Sequence, residues 1–430
     1  MRIGIVGGGI TGLAITHALA RAGVDSVLLE SDSRPGGLIR TRHEAGRILE
    51  LGPQRTRLVP SVARLVRELA LESRVLLARP GARLFIWARG RLHELPRSPA
   101  ELARTRLLGP AARVRAMLEP LSGGLREDES VAAYFSRKTG SAAYRHLFGP
   151  LVAATFGADP AEMPARHSLP MILAPLGVRR SLLGAARRVR TDAGAQACTF
   201  KGGLGELTDR LAARHASRVR LGVHVDRLDG SLGRFTIRGQ GPDGPVRELV
   251  DRVVLTVPAP VAGRVLAGIA PAAANALGGL TYNEVRVVHL DVPSTPEGFG
   301  FQVALGEPLR TRGVTWSASV FGREGMAVAY LGGGLDREIA SWSDDRVSSR
   351  AVDDFEEVHG ARAHVLGVGR SALPAYDASW EALAGLALPA GVTLAANYRA
   401  RLGIAGRIAE AEAVARELAR SGGQPASSVR

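Results

Sequence analysis

The sequence predicts an α/β fold built around a parallel sheet, with a mixed α+β part and a helical insertion, from three observations. An apolar segment at 3–6 runs into a glycine-rich turn, and an amphipathic segment at 11–22 leaves it. The segment 253–257 is almost entirely apolar, which is typical of a parallel strand buried on both faces. A further apolar segment at 392–396 precedes a helical pattern at 407–420. Strands that alternate with helices indicate a layered α/β fold.

The glycine-rich turn carries the motif G-x-G-x-x-G, formed by Gly7, Gly9 and Gly12, and the next strand, at 26–29, ends in Glu30. In a Rossmann-like unit the first glycine allows a tight turn and the second lets a pyrophosphate approach the backbone. The third lets the helix pack on the strand, and the acidic residue accepts hydrogen bonds from a ribose. The helix N-terminus supplies free N–H groups for phosphate. The sequence therefore predicts a dinucleotide site, with an ordinary glycine-rich turn as the alternative.

The residues after Glu30 indicate which dinucleotide is bound. Arg34, Gly36 and Gly37 follow it as R-x-G-G. This arrangement resembles the FAD-binding class of glutathione-reductase type, in which the acid holds the adenosine ribose and the Arg-Gly-Gly segment lies along the pyrophosphate. The resemblance implies a Rossmann-like FAD-binding domain of that type, and a Gly-Gly turn between strands is the alternative.

The length and the charge of the chain limit the number of packed units and the classes of partner that can be expected. A chain of 430 residues is longer than one hydrophobic core usually supports, so two or three packed units are expected. Of its 56 basic residues only Lys138 and Lys201 are lysines, and the formal net charge is +15. This charge favours anionic ligands, anionic membrane surfaces or acidic partners. The arginines are scattered, so no specific nucleic-acid site is predicted.

The composition also excludes several kinds of site. The single cysteine, Cys198, excludes a disulfide framework, a redox pair of cysteines and an iron–sulfur cluster. The ten histidines show no convincing ligand spacing, so no metal site is predicted. The uncharged segment 3–20 contains the glycine motif and is expected to be a folded strand and helix rather than a membrane span. The protein is expected to be cytoplasmic.

The pattern along the chain predicts a discontinuous organisation. A hairpin is predicted around Gly90, and strands at 219–225 and 235–238. The predicted segments are FAD-binding at 1–78, 199–262 and 386–420, a substrate-domain hairpin at 79–98, a helical subdomain at 99–165, further substrate-domain parts at 166–198 and 263–385, and a disordered tail at 421–430.

Within the helical subdomain one apolar face is predicted, with arginines elsewhere. We expect this face to pack on its own domain, and contact with a membrane surface is the alternative. The side chains predicted to share the face are Leu107, Val114, Met117, Leu118 and Leu121.

Several blocks, in order along the chain, resemble the amine-oxidase/protoporphyrinogen-oxidase superfamily and specifically its porphyrinogen oxidases. They include E-L-G-P at 50–53, D-E-S-V at 128–131, the Pro-to-Asp stretch at 150–159, E-G-F-G-F at 297–301, and a serine-rich strand at 315–321. The last two blocks distinguish the porphyrinogen oxidases from the amine oxidases. The resemblance covers nearly the whole chain.

This resemblance implies an FAD-dependent oxidase of haem biosynthesis. Its substrate would be protoporphyrinogen IX or coproporphyrinogen III, oxidised by six electrons with O2 as acceptor and H2O2 as product. Arg57 would bind a substrate propionate, with a solvated arginine as the alternative and Arg55 as its rival. Phe321 would stack on the ring, with a plain core residue as the alternative. FAD would be held by the glycine motif and Arg-Gly-Gly residues together with Ile10, Thr11, Ser31, Leu38, Gly52, Pro53, Gln54, Val225, Asn397, Gly403 and Ile404.

Three departures accompany the resemblance. Ala396 replaces a glycine that lies close to the flavin phosphates, Trp380 replaces a histidine, and Glu410 with Ala411 replaces Ser-Gly. A methyl group at Ala396 is expected to weaken FAD binding if the position needs a positive φ. The alternative functions are an amine oxidase, a carotenoid-type desaturase, and a non-catalytic flavin- or tetrapyrrole-binding protein. Peripheral membrane contact, transfer of product to ferrochelatase and a homodimer stay open.

Overall fold

A computed structural model describes residues 1–173, 178, 181–188, 196–399 and 403–422. The chain forms two compact units, each assembled from separate segments. The first unit comprises Met1–Leu76, Ala197–Leu280 and Trp380–Arg430, and the second comprises Leu77–Gln196 and Thr281–Ser379.

The strands of the described residues are β1 Arg2–Val6, β2 Asp25–Leu29, β3 Thr41–Glu44, β4 Arg47–Glu50, β5 Thr56–Arg57, β6 Val75–Leu77, β7 Leu84–Ala88, β8 Arg91–Glu94, β9 Ala197–Phe200, β10 Val219–Arg220, β11 His224–Asp229, β12 Phe235–Gly241, β13 Gly244–Val250, β14 Arg252–Leu255, β15 Tyr282–Asp291, β16 Gly300–Val303, β17 Thr311–Thr315, β18 Met326–Gly332, β19 His364–Pro374 and β20 Val392–Leu394.

The α-helices of the same residues are α1 Ile10–Arg21, α2 Pro60–Glu68, α3 Pro99–Arg104, α4 Pro110–Met117, α5 Val131–Thr139, α6 Ser141–Ala143, α7 Gly149–Phe156, α8 Ala165–Leu173, α9 Leu182–Arg188, α10 Gly205–Arg214, α11 Ala259–Leu266, α12 Pro271–Gly278, α13 Ser317–Phe321, α14 Asp344–His359 and α15 Gly403–Gly422. A π-helical turn, Tyr144–Phe148, joins α6 to α7.

The first unit is built on a five-stranded parallel sheet in the order β10-β2-β1-β14-β20. Its central strands are fully buried because they are apolar on both faces, as at Ile3, Ile5 and Val254. Helices α1 and α15 pack together and contribute Leu13 and Ile408 to the same core. The predicted α/β fold with a Rossmann-like domain is confirmed.

The prediction of a single strand at 219–225 is wrong, because the structure has two strands there. β10 belongs to the parallel sheet, whereas β11 belongs to an antiparallel sheet in the order β11-β12-β13. Gly222, between them, has a φ of +71°, a conformation that turns the chain out of an extended strand. Val225 therefore lies in the antiparallel sheet, opposite Gly239.

The second unit contains a seven-stranded sheet in the order β19-β15-β18-β17-β16-β7-β8. Its pairs are antiparallel except β16 with β7. The hairpin predicted around Gly90 is present as β7 and β8, with Gly90 at a φ of +71° in the turn. Helix α14 packs on one face through Val347, Ala351 and Phe355.

The prediction that one apolar face runs along the helical segment and packs on its own domain is also wrong. The Gly-Pro pair at the start of α4 ends any continuous helix, and Leu107 lies buried between α3 and α4. Val114 and Leu121, by contrast, are 62% and 82% exposed, and Leu118 is exposed as well. These side chains therefore do not pack on their own domain as expected.

The last helix reaches further than the sequence pattern predicts. Ser421, assigned to a disordered tail, lies in α15 and donates from its hydroxyl to the carbonyl of Glu417 at 3.0 Å. The rest of the predicted tail, 423–430, is outside the described residues. None of the helices in the described ranges combines the length and hydropathy that a membrane crossing requires.

Candidate functional site

The glycine-rich turn after β1 is built as the motif predicts. Gly7 has a φ of +108°, and its N–H donates to the carbonyl of Leu29 at 2.8 Å. Thr256, directly after β14, donates from its hydroxyl to the carbonyl of Gly7 at 2.9 Å. A Cβ on Gly12 would lie 2.0 Å from the same carbonyl oxygen. Both glycines are therefore required by the backbone itself.

The Arg-Gly-Gly segment lies alongside this turn. The N–H of Gly36 donates to the carbonyl of Gly8 at 2.9 Å, and a Cβ on Gly37 would lie 3.2 Å from Cα of Gly9. A Cβ on Gly9, by contrast, would meet no atom within 4 Å. The backbone of Gly9 therefore faces open space beside the first N–H groups of α1, those of Ile10 and Thr11 among them, where a phosphate is stabilised by the helix dipole.

Arg34 supplies a cation in the same Arg-Gly-Gly segment, two residues before Gly36. Burial, reinforced by neighbouring Arg40, lowers the pKa of the Arg34 guanidinium below its ordinary value. Its Nη2 is buried and has no hydrogen-bond partner among the described residues. A buried guanidinium nitrogen without a partner is costly unless an anion binds it. The pyrophosphate of FAD is such an anion, so the residues present fit the cofactor.

Glu30 directly follows β2, at the position where the motif predicts a ribose contact. Its carboxylate is nearly buried and accepts hydrogen bonds from the N–H groups of Gly8 and Asp32 and from the hydroxyl of Ser31. The backbone before β11 reaches the same place, because the N–H of Val223 donates to the carbonyl of Glu30 at 2.7 Å. This hydrogen bond brings the start of β11, which contains Val225, to Glu30 directly after the parallel strand β2. Leu38, which is also predicted to contact FAD, is exposed.

The E-L-G-P block forms a rigid turn. The Gln54 side chain donates to the carbonyls of Glu50 and Gly52 at 2.6 and 2.9 Å, and Pro53 is half-buried. The fully buried carboxylate of Glu50 accepts from the N–H of Leu204 at 2.6 Å and from Thr41 at 2.7 Å. Glu50 therefore stabilises the N-terminus of α10.

The sequence pattern assigns no individual role to Glu50 and does not point to Thr41. Thr41 also accepts a hydrogen bond from the N–H of Gly205 at 2.8 Å, so both side chains cap the same helix. The sequence signal that could have identified Glu50 is its position directly before L-G-P at 51–53.

The C-terminal residues predicted to contact the cofactor lie at or shortly before the start of α15. Gly403 has a φ of +72°, Ile404 is buried in the core, and Asn397 precedes them. Residues 400–402 are outside the described residues. Ala396 does not have a positive φ, so its methyl group causes no backbone strain. The expectation that Ala396 weakens FAD binding through its φ is not supported.

The two predicted substrate residues belong to different units. Arg57, on β5 of the first unit, is exposed, and its guanidinium forms no hydrogen bond or ion pair within the described residues, while Arg55 is half-buried. Phe321, in the second unit, ends the short helix α13 rather than the predicted strand, because the chain turns helical after Thr315. Gly322 follows Phe321 and caps the end of this helix with a φ of +67°.

A family model described as flavin containing amine oxidoreductase matches residues 10–419. The chain belongs to this family. Coproporphyrinogen III oxidase of Mycobacterium leprae is 32% identical over 380 residues, covering 82% of this chain and 82% of that protein. Protoporphyrinogen oxidase 1 of Arabidopsis thaliana, chloroplastic, is 26% identical over 396 residues, covering 82% of this chain and 73% of that protein.

A solved structure from Exiguobacterium sp. 255-15, named as a candidate protoporphyrinogen oxidase, has the same fold. Its TM-score is 0.78 at 23% identity, over 98% of this chain and 99% of that one. The flavin amine oxidoreductase described here is therefore an FAD-dependent oxidoreductase, and the predicted kinship with porphyrinogen oxidases is confirmed.

Replacing Arg34 by glutamine is expected to weaken FAD binding by at least about tenfold, because a buried charge-assisted hydrogen bond to the pyrophosphate is lost. The measurement is titration of the apoprotein with FAD, followed by quenching of flavin fluorescence. Arg42→Gln is the matched control, since Arg42 is exposed and pairs with Glu44 at 2.9 Å. Equal affinities for the two variants would contradict the placement of Arg34 on the pyrophosphate.

Proposed function

We propose that this flavoenzyme is a porphyrinogen oxidase that acts on coproporphyrinogen III or protoporphyrinogen IX. Conversion of a porphyrinogen to a porphyrin removes six electrons and six protons. Three molecules of O2 accept them, two electrons and two protons each, and become three molecules of H2O2. The observation that carries the proposal is the match to a coproporphyrinogen III oxidase at 32% identity over 82% of both chains.

FAD, when bound, accepts the substrate's hydride, so the chain's own residues need to hold and orient the substrate. The substrate is a largely apolar macrocycle edged by propionates, and it requires an apolar wall and fixed cations. Arg57 is suited to a propionate because its exposed guanidinium offers a bidentate donor pair and has no other partner among the described residues. We assign the apolar stacking contact to Phe321.

Anaerobic mixing with each porphyrinogen tests the reaction directly. Bleaching of the flavin absorbance at about 450 nm is expected, followed in air by fluorescent porphyrin and three equivalents of peroxide. We expect coproporphyrinogen III to react faster, because the relative with that name shares more identity. An unchanged flavin spectrum with both substrates would refute the proposal.

The alternatives predict other outcomes in the same assay. An amine oxidase or a desaturase of carotenoid type would leave the flavin oxidised with porphyrinogens and bleach it with an amine or a polyene. A non-catalytic binding protein would hold FAD or porphyrin and be reduced by none of these compounds. Fold likeness does not separate these cases.

Replacing Arg57 by alanine is expected to raise KM for the porphyrinogen about tenfold or more, because a charge-assisted contact to a propionate is lost. The absorbance spectrum of bound FAD should stay unchanged. Steady-state kinetics with coproporphyrinogen III provides the measurement, and Arg264→Ala, at an exposed arginine on α11, is the control. An unaltered KM in the Arg57 variant would show that the propionate lies elsewhere.

We also propose that the protein is cytoplasmic and contacts membranes peripherally through the exposed apolar side chains of α4 and the residues after it. Leu118 and Leu121 are exposed there, a few residues after Arg113 in the sequence. Leu121→Asp should reduce co-flotation with anionic vesicles several-fold, whereas Leu232→Asp, at an exposed leucine in the other unit, should not. Equal flotation of both variants would exclude this surface. The formation of a homodimer and the transfer of product to ferrochelatase are further predictions that the structure does not test.

A further inference from the structure

A charged pair lies in the first turns of α15, among apolar neighbours. Arg407 and Glu410 form an ion pair whose side chains are only 6% and 15% exposed. Ile404, Ile408 and Ala411 beside them belong to the core that α15 shares with α1. Burying charges at such a position is costly, so this pair calls for an explanation.

The start of α15 lies at the edge of the sheet where the cofactor binds. β20 runs parallel to β14, and the N–H of Ala395 donates to the carbonyl of Leu255 at 2.9 Å. The glycine motif begins at the same carboxyl edge, where Thr256 donates to Gly7. Open parallel sheets bind their ligands at this edge. Helices α1 and α15 therefore both begin there.

The charged pair directly follows the turn that we assign to FAD. Gly403 and Arg407 are four residues apart and share one face of the helix. Side chains of an α-helix tilt toward its N-terminus, so Arg407 and Glu410 lie over the turns that precede them. The turn before Arg407 contains Gly403 and Ile404, and the turn before Glu410 contains Arg407. Arg407 is therefore next to the predicted FAD contact and Glu410 lies about one turn further along the helix, and both side chains are largely shielded from water.

We propose that this ion pair sets the reduction potential of the bound FAD. Arg407, a positioning residue, stabilises the negative charge that reduction adds to the flavin, and Glu410 limits that stabilisation. Charges act over longer distances in a poorly solvated interior than at the surface, so the two residues shift the potential in opposite directions. The inference uses the FAD site alone and does not depend on which substrate is oxidised.

The test is the midpoint potential of the purified holoenzyme, measured by equilibration with a dye of known potential. Glu410→Gln is expected to shift the equilibrium toward reduced FAD about tenfold, which is about 30 mV for two electrons. Arg407→Gln is expected to shift it toward oxidised FAD by a similar factor. Arg407→Lys and the double variant R407Q/E410Q should lie close to the wild type.

A purely structural role predicts a different result. Both single variants would then lower FAD affinity and thermal stability, with no opposite shifts in potential. Arg416→Gln, two turns further along α15 at a side chain 61% exposed, is the control and should leave the potential unchanged. A Glu410→Gln potential that is unchanged or lowered would overturn the proposal. If Arg407→Gln does not retain FAD, the midpoint potential of Glu410→Gln is compared with that of Arg407→Lys. This comparison still tests the proposal, because only Glu410→Gln is expected to raise the potential.

Discussion

Replacing Gly12 by alanine is expected to give a protein that loses both FAD and much of its stability. The new Cβ would lie 2.0 Å from the carbonyl oxygen of Gly7, and that oxygen is fixed by the hydroxyl of Thr256. Neither backbone segment has room to move, because α1 packs directly on β1 and the adjoining core. Overpacking of this kind costs about 1–3 kcal/mol, and more where the contacting atom belongs to the backbone. Thermal unfolding and the ratio of flavin to protein absorbance measure the two losses.

Gly9→Ala is the matched comparison, because it separates the cofactor's space from the protein's own packing. Gly9 has a φ of −69°, which alanine adopts readily, and its Cβ would meet nothing within 4 Å. The apoprotein should therefore unfold at an unchanged temperature, whereas FAD affinity should fall by about tenfold or more, since we place the pyrophosphate in that space. If Gly9→Ala binds FAD normally, the pyrophosphate does not lie over Gly9.

This contrast also shows which parts of the site the sequence could predict. The glycine motif, the Arg-Gly-Gly segment and Glu30 are local in sequence, and their spacing alone determines how a strand, a turn and a helix join. Their geometry in the structure agrees with that expectation. Gly90 in the hairpin is predictable for the same reason, because a turn residue with positive φ acts over a few residues.

Features that depend on distant residues were not predicted. Glu50 caps a helix whose first residues are more than 150 positions away, and no local pattern announces such a partner. The apolar spacing of Val114, Leu118 and Leu121 resembles a packed face, yet these side chains are exposed. Periodicity indicates that a helix is amphipathic and does not state what its apolar face contacts. The break before Pro110 was, by contrast, signalled by its Gly-Pro dipeptide.

Replacing Lys138 by methionine is expected to destabilise the second unit by about 3–5 kcal/mol, the effect of leaving a buried charge without its partner. The Nζ of Lys138 lies 2.9 Å from Oε1 of Glu119, and each side chain is only 1% exposed. Glu119 also accepts hydrogen bonds from Ser181 and from the N–H groups of Leu182 and Leu183 at the start of α9. Arg79→Met is the control, because the ion pair of Arg79 with Glu297 is exposed and is expected to contribute less than about 1 kcal/mol.

The pH dependence of this loss identifies its cause. Burial alone would raise the pKa of Glu119, but the hydrogen bonds from Ser181, Lys138 and the backbone outweigh burial and hold the pKa below its ordinary value. A carboxyl group with a depressed pKa stabilises the fold above its unfolded pKa, about 4.3, and that contribution is lost as the pH falls. Glu119→Gln should therefore unfold at lower temperature than the wild type at pH 7, and the difference should narrow below about pH 4. In K138M/E119Q the unpaired charge is absent, so the double variant should be more stable than Lys138→Met alone. A double variant that is less stable by the sum of both single effects would show that the two side chains act independently and not as a buried pair.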